Sequence, residues 1–97
     1  MSCEKILNKW RNYIPPKVPL SDVIKVVQKK FEKYEYPKRG SHLKIYDSRL
    51  EWFIRSNPGQ INFSYDGRFT IPIYGGKEVK KVYVKRILRI IDILEEA

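Results

Sequence analysis

Ninety-seven residues suffice for one domain with one modest core, and a composition 42% hydrophobic and 13% aromatic predicts a packed globule rather than a disordered chain. Twenty Lys and Arg against eleven Asp and Glu give a net charge of +9, which points to a polyanionic partner, nucleic acid ahead of acidic protein or anionic lipid. The single cysteine, Cys3, excludes an intramolecular disulfide and a Cys-rich zinc site, no apolar run reaches membrane-spanning length, and the first fifteen residues lack a signal-peptide pattern, so a cytoplasmic protein is expected.

Residues 2–14 read as a helix capped by Ser2, with Glu4 in the first turn and Ile6, Leu7, Trp10 and Ile14 at helical spacing. Pro15 and Pro16 stop it, and the segment PPKVP is expected to be a stiff connector. A second helix is predicted over 21–33, with Ser21 as N-cap and Asp22 behind it. Leu20, Val23, Ile24, Val27, Phe31 and Tyr34 form its core stripe, while Lys25, Lys29 and Lys30 face elsewhere.

A short strand to about Lys38 follows, then a turn at Gly40 and a strand over His42–Tyr46. Period two puts Leu43 and Ile45 on one face of that strand and His42, Lys44 and Tyr46 on the other. Residues 47–58 carry two conflicting signals: a Ser48–Glu51 capping box for a helix, and Leu50, Trp52 and Ile54 at strand spacing. The capping box favours a helix, ended by Asn57-Pro58-Gly59.

Residues 61–65 and 69–73 both alternate, and Asp66-Gly67 between them predicts an antiparallel hairpin closed by a type I′ turn, with Pro72 at an edge or at the end of the ladder. Gly75-Gly76 breaks the chain before a last helix over 81–95. Its predicted core face is Tyr83, Ile87, Ile91 and Leu94, and Lys81, Lys85 and Arg89 make a basic ridge on another face. Glu95 and Glu96 oppose the macrodipole, so that end is expected to fray.

The order predicts an α+β fold, α-β-β-β-α from residue 21 onward, with helices on one face of a three-stranded antiparallel sheet and an extra N-terminal helix. Double-stranded-RNA-binding domains share that order. Residues 1–19 form the helix and Pro-rich connector, and 20–97 a single domain.

Walker, dinucleotide-binding and nucleophile-elbow motifs are absent, and one His with one Cys cannot supply a typical transition-metal site, so neither a cofactor nor a metal is expected. The remaining chemistry lies in KRGSH (38–42), in the stretch 70–88, and in the basic residues around them. By itself His42 reads as an ordinary surface histidine at a strand start, though its imidazole suits taking a proton, such as that of a ribose 2′-hydroxyl, near neutral pH. Lys38, Arg39 and Lys44 favour the neutral ring, could hold the scissile phosphate and could offset transition-state charge. Gly40 allows close backbone approach to a phosphate.

Gly40-Ser41-His42, then Pro72-Ile73-Tyr74-Gly75-Gly76, then EVKKVYVKRIL resemble the HicA family of mRNA interferase toxins over roughly residues 10–93. That family has a Gly-Ser-His turn, a Pro-x-His-Gly loop after the third strand, and a Lys-containing segment opening the final helix. The resemblance implies a metal-independent endoribonuclease with His42 catalytic, acting on mRNA and paired with a HicB-like antitoxin that covers the site. The candidate RNA-binding set is Lys38, Arg39, Gly40, Ser41, Lys44, Tyr74, Lys80, Lys81 and Lys85, Lys81 and Lys85 on the strength of charge and fold order, while Tyr46 and Tyr74 either stack bases or pack in the sheet. The sequence departs from the family at Tyr74, where many relatives carry the loop histidine. Lys44, Lys80, Tyr74 or water would then protonate the leaving 5′-oxygen, and slow cleavage or binding without cleavage follows as an alternative. A protein-interaction domain whose basic face meets an acidic partner is the third expectation.

Overall fold

The computed structural model describes residues 2–36 and 41–96. Ser2 Oγ accepts the Lys5 N–H and opens helix α1 (Cys3–Asn12), which buries Ile6, Leu7 and Trp10. The chain past Pro15-Pro16 does not remain a connector. Lys17–Pro19 form strand β1, whose partner is the distant strand β5 (Glu78–Lys80), with Lys17 opposite Lys80 and Pro19 opposite Glu78. Val18 and Val79, opposite each other in that pair, are buried.

Helix α2 (Leu20–Lys30) starts earlier than expected, and Ser21 is not its cap. Pro19 occupies the N-cap without a side-chain bond, and the Leu20 N–H goes to the Lys77 carbonyl. Strand pairing thus supplies what a serine hydroxyl otherwise would. The buried stripe is Leu20, Val23, Val26 and Val27, continued by Phe31 beyond the helix; Ile24 is only half-buried and Tyr34 is exposed.

A three-stranded antiparallel sheet follows, in the order β2 (Lys33–Glu35), β3 (His42–Tyr46), β4 (Arg68–Pro72). The expected extension to Lys38 and the Gly40 turn lie outside the described residues. Leu43 pairs with Ile71 and Ile45 with Phe69, all four buried. Burying each fully stabilises by roughly 1.5–3 kcal/mol, so a one-residue slip, which would turn the two on the slipped strand to solvent, is strongly disfavoured.

The predicted hairpin between 61–65 and 69–73 does not form. Residues 61–65 are not a strand, and β4 pairs with β3 instead. A type I′ turn needs positive φ at both central residues, yet among the described residues only glycines have it, so Asp66 does not. Asp66 Oδ1 instead accepts the Arg68 N–H across a local turn. Gly67 (φ +86°) lies against helix α3 (Ser48–Ser56): its carbonyl accepts the Asp47 N–H, and a Cβ there would meet the Asp47 oxygen at 2.8 Å and the Glu51 backbone N at 2.9 Å.

Within residues 47–58 the chain is helical over Ser48–Ser56, the outcome the capping signal favoured, but Asp47 and not Ser48 is the N-cap. Glu51 does not close a box with Ser48; the Ser48 N–H and hydroxyl both donate to Glu32, at 2.8 Å each. Helix α4 (Lys81–Glu96) buries Val84, Ile87, Ile90, Ile91 and Leu94, leaving Tyr83 half-buried at the edge of the expected stripe. Its last turn is tied down, because Lys30 Nζ reaches Glu95 at 2.8 Å and Glu4 at 3.2 Å. One apolar cluster runs through all four helices and both sheets, from Ile6 to Leu94. No helix among the described residues is long and apolar enough to cross a membrane.

Candidate nucleic-acid interface

Since alternate strand residues point to opposite sides, the register that buries Leu43, Ile45, Phe69 and Ile71 turns their neighbours outward. His42 stands opposite Pro72, Lys44 between Glu35 and Thr70, and Tyr46 between Lys33 and Arg68. The Ile73 N–H donates to the Ser41 carbonyl, carrying the pairing one residue further. Tyr74 then folds back on Glu78 through a bridge closed by Gly75 (φ +60°) and Gly76 (φ +72°), where any other residue would be strained. The outer sides of β1 and β5, Lys17 and Lys80 among them, thereby continue this face.

The face carries Lys17, Lys33, Lys44, Arg68 and Lys80 against Glu35 and Glu78. Lys80 Nζ lies 4.2 Å from the centre of the Tyr74 ring, and the Arg68 guanidinium 5.0 Å from that of Tyr46. Arg68 also pairs with Asp66 at 3.0 Å, and the two Arg68 hydrogen bonds hold the Asp66 carboxyl below its ordinary value. His42 is exposed, with Nδ1 3.3 Å from Ser41 Oγ. When Nδ1–H donates to that hydroxyl oxygen, Nε2 keeps its lone pair for a proton from outside.

Of the expected site residues, His42, Lys44, Tyr74 and Lys80 share this face, and Ser41, just before the strand, sets its hydroxyl beside the His42 ring. Lys38, Arg39 and Gly40 lie outside the described residues. Lys81 begins α4, donates its N–H to the Pro16 carbonyl and lies 5.6 Å from the Tyr13 ring; Lys85 is exposed one turn on. Both therefore belong to a helix beside the sheet rather than to its face. Arg89 has an internal task, donating to the Gln60 carbonyl at 2.9 Å. Sequence reasoning missed Lys17, Lys33 and Arg68. Alternation in RFTIP could have found Arg68, whereas Lys17 depends on a pairing across the length of the chain.

No family model matches the chain, no curated protein matches it, and no solved structure matches it.

Proposed function

We propose that the protein is a metal-independent mRNA endoribonuclease of the HicA kind, on an α-β-β-β-α sandwich like that of double-stranded-RNA-binding domains, with a HicB-like antitoxin as its partner. One observation carries the reading. The two segments that resemble the family, Ser41-His42 and Pro72–Gly76, are far apart in sequence but lie side by side, with His42 opposite Pro72. They do so on a face rich in lysine and arginine, as a phosphate backbone requires.

His42 Nε2 takes the proton of a ribose 2′-hydroxyl, and the freed oxygen attacks the adjacent phosphorus. The bond from phosphorus to the 5′-oxygen breaks, leaving a cyclic 2′,3′-phosphate and a 5′-hydroxyl. Lys44 and Lys80 offset the charge gathering on the phosphoryl oxygens. The 5′-oxygen takes its proton from water or from a side chain of this face.

A second reading, RNA binding without cleavage, is favoured by Tyr74. It stands in the loop position where relatives carry a histidine, and its ring is covered by Lys80. End-labelled RNA incubated with the purified protein, with and without EDTA, separates the two. Cleavage unaffected by EDTA and ending in cyclic phosphate supports the nuclease; tight binding with intact RNA supports the module.

A further inference from the structure

The charge on the sheet face is gathered into two troughs, each built around a tyrosine with a cation against its ring. The larger, about 700 Å³, holds Tyr46 beside Arg68, with Lys33 and Lys44 along its walls. The smaller, about 450 Å³, holds Tyr74 beside Lys80, with Lys17 next to them. His42 lies between the two along the β3–β4 register.

We propose that this face takes RNA as an unpaired strand, with one base stacked on Tyr46, another on Tyr74, and the backbone crossing His42 between them. The inference rests on the RNA-binding reading above. A duplex keeps the faces of its bases inside its own stack, so tyrosines on a sheet gain nothing from it, whereas unpaired bases offer those faces. The cation over each ring swings aside when a base stacks there, a movement that a long, exposed side chain makes readily. The same cation is then in reach of the phosphate beside that base.

The two platforms are unequally distant from His42. Four residues of β3 separate the Tyr46 row from the His42 row, roughly 13 Å, while Tyr74 is two residues beyond Pro72, roughly 7 Å. Tyr74 therefore receives the base flanking the bond cleaved at His42, and Tyr46 a base further along. Both tyrosines contribute affinity, with little preference among bases, because every base has a face to stack.

The test measures fluorescence anisotropy of a short labelled RNA, single-stranded and as a blunt duplex, at one salt concentration. It compares the native protein with Tyr46→Leu, Tyr74→Leu, the two phenylalanine versions and Lys44→Gln. Each leucine variant should bind the single strand roughly five- to a hundredfold more weakly. The phenylalanine versions should match the native protein, and duplex affinity should not respond to either tyrosine. A duplex bound as tightly as the single strand overturns the proposal, as do leucine variants with native single-strand affinity. In either case, Lys44→Gln weakening both forms would leave the RNA reading standing. A native protein that binds neither form sinks that reading and this proposal with it. Melting curves confirm that each variant compared is folded.

Discussion

At one end of strand β3 a carboxylate is buried under four hydrogen bonds, and at the other an imidazole stands in solvent. Asp47 accepts from the Glu32 N–H at 3.2 Å, and from Arg49 through its backbone N at 2.9 Å, Nε at 3.0 Å and Nη2 at 2.8 Å. Burial alone would raise the Asp47 carboxyl, but the Arg49 hydrogen bonds and charge, with the Glu32 N–H, outweigh it and hold the group below the ordinary carboxylate range. Arg49 Nη2 also donates to the Lys30 carbonyl, so Nε and Nη2 of this half-exposed arginine are both engaged within the protein. His42, Lys44 and Tyr74 make no comparable knot. A polar group that is fully partnered inside fixes the fold, and one that faces outward remains free for a ligand. Residue type does not separate these roles, since both side chains are polar and they stand at the two ends of one short strand.

The contrast breaks most sharply at His42. His42→Ala should lower RNA cleavage by roughly 10²–10⁴-fold and leave the melting temperature unchanged, because the ring is exposed and outside the apolar cluster. Single-turnover assays alongside thermal melts check both halves. At the opposite end the effects should reverse. Asp47→Ala strands Glu32 and Arg49 donors, and Gly67→Ala drives a Cβ into the Asp47 oxygen, so each should cost about 2–4 kcal/mol in urea denaturation, while RNA affinity per folded molecule stays native.

The depressed Asp47 group also sets a pH dependence. Its stabilisation is complete above the unfolded-state value of about 3.9 and is lost as the pH falls from there through the lower folded value. Urea midpoints should drop between pH 5 and pH 2, and Asp47→Asn should flatten that drop. On the sheet face, Lys44→Gln with Lys80→Gln should reduce the salt slope of RNA binding by roughly 0.7 log unit per decade for each phosphate contact removed. The pair Lys81→Gln and Lys85→Gln, beside the face, should change it less. The smallest effect concerns Ser64, whose buried hydroxyl lacks a partner among the described residues. Ser64→Ala should leave stability unchanged or raise it by up to about 1 kcal/mol, read from the urea midpoint.

The helices, strand β3 and the outward side of β3 were legible because each rests on a local period. His42 and Lys44 followed from that, whereas the helix at 48–56 followed from a capping signal, against a period that pointed to a strand. What escaped was non-local. Lys17–Pro19 is too short to read as a strand without its partner at Glu78–Lys80. Asp66-Gly67 gives the strongest short hairpin signal, yet its glycine answers to the close approach of α3 rather than to the flanking strands. Asp47 and Ser48 are both good helix caps in sequence. Arg49 and Glu32 decide between them, and that neighbourhood exists only once the chain has folded.

The long-range pairing that hid β1 also bears on how the chain is made. Arg11 meets Asp92 at 2.8 Å, Lys17 faces Lys80, and Ile6, Leu7 and Trp10 share a core with Ile91 and Leu94. At ordinary translation speeds of about 5–20 residues per second, α1 waits several seconds for α4 to be synthesised. Contacts so distant along the chain close late and together, which makes assembly slow and all-or-none. A ribosome halted before α4 would hold a chain whose first helix is exposed to chaperones and proteases, and whose basic face has no finished core behind it.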